Sequence, residues 1–339
     1  MSNSSLNLAK KIKNDEFYTQ YDDIVSELKY YIKCFRNKTV FCNCDDPAKS
    51  NFWRYFCDNF EQLKLKKLIS IHYAEKSYAL IYQGKDNLTK LALHGNGDFR
   101  SKESIEYLKQ CDIVVTNPPF SLAREYIKQL FAYHKKFLII GNMTWIAYKE
   151  IFPLLRENKM WLGINNVKDF IQPDGTTKKF GNICWFTNLV VSKSTDKISF
   201  EKAFNIVDNP IYDNYSAFET AKVANIPQDN EIQVQIDKND LSGWQKVYRD
   251  DLTVISTNDK IVLINIKRPI WGVPITFLNK YNPNEFDIIG EASGNSRKTK
   301  LYGNVYYKHS KLDRGGCCVI NNVRKYNRIF IRAKKERKK

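Results

Sequence analysis

The chain has 339 residues, 43% hydrophobic and 14% aromatic, enough for a large core and for more than one domain. Fifty-four Lys and Arg against 37 Asp and Glu leave a formal charge of +17, a field that attracts a polyanionic partner. The opening MSNSSLNLAKKIKNDEFY lacks the apolar core of a secretory signal, and no apolar run is long enough to span a bilayer. A cytoplasmic protein without a membrane partner is therefore expected. Eight cysteines, at 34, 42, 44, 57, 111, 184, 317 and 318, form no CxxC pair, and only four histidines accompany them. Free thiols in a reducing compartment are expected, and no metal site.

Residues 1–15 are polar and lysine-rich. Thr19-Gln-Tyr-Asp22 has capping-box spacing ahead of the helical pattern IVSELKYYI, which predicts a helix from near Thr19. Thr39 to Asn43 reads as a short buried strand, Ser50 to Leu63 as an aromatic-rich helix, and Lys67 to Tyr73 and Tyr78 to Tyr82 as strands. Ser101 caps a short helix; Asp112 to Thr116 is a strand, Ser121 to His134 a helix, and Lys136 to Gly141 another strand. Wholly apolar strands alternating with helices predict an α/β fold whose parallel sheet is covered on both faces. Its ligand sites belong at the carboxyl ends of the strands. Beyond residue 205, with a margin of about ten residues, helical periodicity fades. Short strands such as Lys260 to Ile266 and Ile270 to Pro274 take over, and the chain closes on a basic tail. Two domains, 1–205 and 206–339, are expected.

The strand ending at Thr116 runs directly into Asn117-Pro118-Pro119-Phe120, with a helix after it. An aromatic amine such as adenine's is a poor nucleophile because its lone pair is delocalised into the ring. A site can hold such an amine by accepting both of its hydrogens, one on the Asn117 side-chain oxygen and one on the Pro118 carbonyl. The nitrogen then becomes more tetrahedral and its lone pair can be aimed at a methyl donor. Proline has no N–H, so Pro118 and Pro119 offer carbonyls without a competing donor on a rigid backbone. Phe120 can stack on the base. The gain is orientation and complementarity to the transition state.

At these residues the sequence resembles the amino-methyltransferases that carry an (Asp/Asn/Ser)-Pro-Pro-(aromatic) motif, and within them the EcoRI-type adenine-specific DNA methyltransferase family. The resemblance runs from Asn14-Asp-Glu-Phe-Tyr-Thr19 through Val40-Phe-Cys-Asn-Cys-Asp-Asp-Pro47, Gly97-Asp-Phe-Arg-Ser101 and Val115 to Ser121. It continues in Lys136 to Asn142, Phe180-Gly-Asn-Ile-Cys-Trp-Phe-Thr-Asn188, Trp271 to Phe277 and Arg328 to Arg332. It implies a Rossmann-like S-adenosylmethionine-dependent methyltransferase domain with a C-terminal target-recognition region. The implied substrate is an adenine flipped out of double-stranded DNA, since a base cannot be methylated inside the stack.

By position, the resemblance assigns Tyr18 and Thr19 to the segment that closes over the methionine end of the cofactor. Asp45 and Asp46 fall where the cofactor's charged end is held, although Asp-Asp-Pro-Ala-Lys-Ser-Asn51 lacks the glycine-rich loop of the wider class. Asp98 and Phe99 are expected at the cofactor's adenine, and one of Trp185 and Phe186 at the target base. Lys178, Lys179, Arg297, Lys298, Lys300 and Arg324, with neighbours including Arg328, are the expected DNA contacts. A restriction–modification or related system is implied, with a cognate endonuclease acting separately. Two alternatives stay open at this point: methylation of RNA adenine or a protein glutamine, and a non-catalytic DNA-binding protein on a decayed methyltransferase fold.

Overall fold

The computed structural model describes residues 18–85, 87–171, 177–190, 232–284, 286–291, 318–320, 323–325 and 328–334. The chain divides into two compact units, Met1–Leu154 with Lys159–Ser194 and Leu155–Asn158 with Thr195–Lys339. The boundary expected near residue 205 lies outside the described residues.

In the first unit the elements are, in chain order, β1 (Tyr18–Thr19), α1 (Tyr21–Leu28), α2 (Ile32–Phe35), β2 (Thr39–Cys42), α3 (Asn51–Asp58) and α4 (Phe60–Leu63). There follow β3 (Lys67–His72), β4 (Tyr78–Tyr82), β5 (Leu88–Ala92), α5 (Lys102–Gln110), β6 (Ile113–Thr116), α6 (Ala123–Ala132), β7 (Lys136–Asn142), β8 (Trp161–Ile171) and β9 (Thr177–Thr187). The strands form one nine-stranded sheet in the order β1-β8-β9-β7-β6-β2-β3-β4-β5.

The sheet is mixed, which corrects the expectation of a wholly parallel one. Only β3, β2, β6 and β7 run parallel to their neighbours in that group. β4 and β5 fold back on β3 antiparallel, and β9 and β8 lie antiparallel beyond β7. The connection from His72 to Tyr78 is too short for the crossover that a parallel neighbour requires. β5 was not anticipated because LTKLA is exposed at every position and carries no apolar pattern. The helix expected over Ser50 to Leu63 is two helices that meet at Asn59, with the Ser50 hydroxyl accepting from Phe52 N–H at 3.1 Å. Thr19 lies in a strand, so the expected cap is not made; Gln20 precedes α1 and makes no side-chain capping bond.

β2 and β6 are buried at every residue, as strands covered on both faces must be. α3 places Phe52, Tyr55 and Phe56 on one face at helical spacing, and these pack with Phe35, Val40 and Val115 in the main core. Glu27 is the exception in this apolar setting, at 0% exposure. Its carboxylate accepts from the backbone N–H groups of Ile164 (2.9 Å) and Asn165 (2.7 Å) and from the Tyr31 hydroxyl (2.9 Å). Those amides lie where the β8–β9 register shifts between Leu162 and Asn166, so Glu27 satisfies donors that the ladder leaves over.

The second unit contains β10 (Ile232–Asp237), α7 (Leu241–Val247), β11 (Leu252–Thr257), β12 (Ile261–Ile266), β13 (Ile270–Pro274), β14 (Phe286–Glu291), β15 (Cys318–Ile320), β16 (Val323–Lys325) and β17 (Arg328–Ala333). They form three small antiparallel sheets, β10-β12-β11, β13-β17-β14 and β15-β16. Asp251 anchors this unit: it binds Arg268 in a two-pronged pair at 2.9 and 2.7 Å, with Arg332 at 3.6 Å. Arg328 is 0% exposed, which removes it from the expected DNA contacts. No helix among the described residues is long and apolar enough to cross a membrane, and no cluster of metal-ligating side chains occurs among them. The described cysteines at 34, 42, 44, 57, 111 and 184 are free thiols.

Candidate active site

The connection from β2 passes to β3 on one side, and β6 returns to pair with β2 on the other. In open α/β sheets such a reversal, beyond the carboxyl ends of β2 and β6, is where ligands bind. The residues after β2 and those after β6 are the two walls of this candidate site.

On the β6 side, Asn117, Pro119 and Phe120 are half-buried and Pro118 is buried. The Leu122 N–H donates to the Pro119 carbonyl at 3.0 Å and starts a single turn of 3-10 helix that leads into α6. No described residue donates to the Pro118 carbonyl. Phe120 meets Trp145 edge to face at 5.6 Å. Trp145 in turn stacks on Phe186 at 5.5 Å. Gly141 makes that stack possible, because a Cβ there would collide with the rings of both Trp145 and Phe186.

Trp185 and Phe186 are each 0% exposed. Trp185 packs in the main core against Phe52, and Phe186 lies beneath Trp145. Neither offers an open face to a base here, and their place is the packing that backs the turn. The half-buried ring nearest the motif is Phe120 itself.

On the β2 side, the two carboxylates separate. Asp45 turns inward at 9% exposure, and its Oδ2 accepts from the Thr116 hydroxyl and, at 3.4 Å, from the Asn117 N–H. Burial pushes its carboxyl up to about 7, against the lowering effect of its bonds to Thr116, Asn117 and Ser50. Asp45, expected at the cofactor's charged end, is thus turned towards β6. Asp46 turns the other way: its Oδ1 accepts from Ala48 N–H at 3.0 Å and stands 3.2 Å from Nδ1 of His72, at the carboxyl end of β3.

The loop before α5 brings Asp98 and Phe99. Gly97, at φ 77°, lets this loop pass against the His72 carbonyl and the Ser77 hydroxyl, where a Cβ would collide. Burial alone would raise the Asp98 carboxyl. Arg100 outweighs it, with Nε and a terminal nitrogen at 2.9 and 2.8 Å, and holds Asp98 below the usual carboxylate range. Arg100 also reaches Glu125 of α6 at 3.1 Å, tying this loop to the helix that follows the motif. The Phe99 ring is 4% exposed and packed edge-on against Tyr126 at 5.0 Å. The stacking expected of that ring is therefore not available, whereas no described residue accepts from the Phe99 N–H.

Thr19 is 3% exposed, and its hydroxyl has no hydrogen-bond partner among the described residues. Its carbonyl accepts from the Asn51 side chain at 2.8 Å, which sets β1 beside the first turn of α3. Tyr18 precedes it on the same strand and pairs with Ile171. Lys178 and Lys179 lie on β9 opposite Phe170 and Asp169, and Arg324 lies on β16 opposite Val319. Arg297, Lys298 and Lys300 are outside the described residues.

Sequence reasoning missed Thr116, His72, Arg100, Tyr126 and Trp145. A polar residue closing a wholly apolar strand, immediately before the motif, is a usable signal for Thr116. Nothing local marks Trp145.

The sequence profile described as adenine-specific methyltransferase EcoRI matches residues 5–88, 81–238 and 256–334. The chain belongs to this family of adenine-specific methyltransferases. It is 40% identical to the type II methyltransferase M.EcoRI of Escherichia coli, over 88% of this chain and 92% of the relative. It is 35% identical to the type II methyltransferase M.MgeORF184P of Mycoplasma genitalium, over 96% and 98%. With the type II methyltransferase M.MpnI of Mycoplasma pneumoniae the identity is 33%, over 96% and 97%. No solved structure matches the chain.

Proposed function

We propose that the chain methylates the exocyclic 6-amino group of an adenine flipped out of double-stranded DNA, at a defined site and within a restriction–modification or related system. In this reading a Rossmann-like catalytic domain is joined to a target-recognition region over 206–339. The observation that carries it is the position of Asn117 to Phe120 at the carboxyl end of β6, across the switch point from Asp46, with no described donor on the Pro118 carbonyl.

S-adenosylmethionine, the general donor of methyltransferases, supplies a methyl group activated by a sulfonium. The residues present fit it. The buried Thr19 hydroxyl lacks a partner, and a hydroxyl so placed calls for one. Asp46, beside His72, offers a carboxylate to an ammonium or to ribose hydroxyls. Asp98, held ionised, can accept from an amino group while the adjacent Phe99 N–H donates to a ring nitrogen, a pairing complementary to one edge of adenine. Tyr18 flanks Thr19 on β1.

On the other wall, the Asn117 side-chain oxygen and the Pro118 carbonyl each accept one hydrogen of the target amine. Phe120 stacks on the base, backed by Trp145 and Phe186. The nitrogen would take the methyl group as the methyl–sulfur bond breaks and a neutral thioether leaves; its surplus hydrogen would stay on nitrogen, hydrogen-bonded to the acceptors, until water takes the proton. Lys178, Lys179, Arg297, Lys298, Lys300 and Arg324 bind DNA phosphates.

Sequencing that detects N6-methyladenine in DNA from cells expressing the chain tests this directly. Methylated adenine at one recurrent sequence is expected, and its loss with Asn117→Ala. Unmodified DNA alongside methylated RNA or methylated glutamine would replace the substrate; no transfer to any of these would leave a DNA-binding protein.

A further inference from the structure

We propose that Asp45 is a positioning residue for methyl transfer: from the loop after β2, its carboxylate holds the backbone of the Asn117–Phe120 turn in the place where the turn grips the amine. The inference rests on the proposed role of Asn117 and assigns a cause to its placement.

Three sets of bonds point the same way. The Asp45 backbone is fixed from β3, where the Ser70 hydroxyl donates to the Asp45 carbonyl at 3.1 Å and to the Cys42 carbonyl at 3.0 Å. Its side chain is fixed to β6 by the Thr116 hydroxyl and the Asn117 N–H, and Ser50 bonds to it as well. Thr116 Oγ1 is used twice, since it also accepts from the Cys44 N–H at 3.2 Å. One carboxylate therefore spans the switch point and joins the wall that faces the cofactor to the wall that faces the base. A second brace runs parallel to it: the Tyr126 hydroxyl of α6 donates to Asn43 Oδ1 at 2.5 Å.

A ligand of the cofactor's ammonium would keep an oxygen turned to the candidate site. Asp45 is nearly sealed and its Oδ2 already accepts from two donors, whereas Asp46 is the carboxylate left at the mouth. The adjacent acids thus divide the work: Asp46 faces the donor molecule and Asp45 sets the distance between the walls. Such distances matter because a displacement of about 1 Å at a reacting centre costs on the order of 100-fold in rate.

The test compares single-turnover methylation of duplex DNA, at saturating S-adenosylmethionine, with calorimetric affinity for S-adenosylhomocysteine. The variants are Asp45→Ala, Asp45→Asn, Thr116→Val and the double Asp45→Ala/Thr116→Val. Asp45→Ala should lower the rate about tenfold or more while the affinity changes by less than about threefold. Asp45→Asn, which keeps the shape and an acceptor, should recover most of the rate. Thr116→Val should slow the reaction too, and the double variant should be no slower than the worse single one. A tenfold loss of affinity with an unchanged saturated rate would make Asp45 a cofactor ligand and overturn the proposal, as would independent effects in the double variant. Should Asp45→Ala fail to fold, Asp45→Asn and Thr116→Val decide: full rate in Thr116→Val overturns it. Asn117→Ala serves as the separate control. Full turnover there removes the proposed grip itself, whereas a dead Asn117→Ala beside fully active Asp45 variants removes only the strut.

Discussion

The nitrogen that the proposed reaction must attack with is planar, and the chain meets it with acceptors rather than with a base. Asn117→Ala deletes one of two acceptors, and single-turnover rates should fall at least about 100-fold, as when one preorganised hydrogen-bonding group is lost from an active site. Affinity for S-adenosylhomocysteine, measured by calorimetry, should stay close to that of the parent. Asp45 carries a second residue-scale consequence. Its carboxyl is raised to about 7 by burial, while the same group in an unfolded chain ionises near pH ~4. The folded state thus holds this proton more tightly. Its contribution to stability is present below the unfolded value, declines as pH climbs towards 7, and is gone above it. Thr116, Asn117, Ser50 and the like-charged Asp46 are the groups that face it. Asp45→Asn removes this dependence, so the variant should gain melting temperature over the parent between pH 5 and 8, in thermal melts at matched ionic strength. A constant difference across that range would contradict the assignment.

Elements carry these residues through contacts that are sensitive to single atoms. Gly141 of β7 lets the Trp145 ring lie across the strand, with Phe186 below and Phe120 at its edge. Gly141→Ala forces that ring to move, and overpacking of this kind costs about 1–3 kcal/mol. Both the melting temperature and the methylation rate should fall, because the displaced ring is the one that backs Phe120. Glu27→Ala acts from α1 on the irregular stretch of β8. It leaves the half-buried Ile164 and Asn165 N–H groups without their acceptor, at a cost of about 3 kcal/mol by chemical denaturation. A loss below about 1 kcal/mol would mean that water replaces the carboxylate there.

For the whole molecule the governing quantity is the net +17, which is long-range and independent of any one contact. DNA affinity should fall linearly on logarithmic axes as salt is raised, and neutralising Arg297, Lys298 and Lys300 together should flatten that slope by up to about three. An unchanged slope would place the phosphate contacts elsewhere, with Lys178 and Lys179 of β9 the next to test. The family membership rests on the whole chain as well, since the matching profile extends from residue 5 to residue 334.

The amino-acid sequence by itself determined the family, through the motifs that carry the resemblance, and the local features: the strand into Asn117-Pro118-Pro119-Phe120, the cap at Ser101 and the buried strands β2, β3, β6 and β7. The local features follow from short-range rules of periodicity, capping and proline geometry, and such rules act within a few residues of each other. Only the tertiary structure decided what faces what. Asp45 and Asp46 are adjacent and chemically alike, yet one turns to Thr116 and the other to His72. Phe99, Trp185 and Phe186 look like stacking rings in the sequence and are sealed against Tyr126, Phe52 and Trp145. The direction of β4 and β9 and the burial of Arg328 belong to the same group. Each depends on partners tens of residues distant, and the orientation of a side chain is fixed only when the elements around it have met.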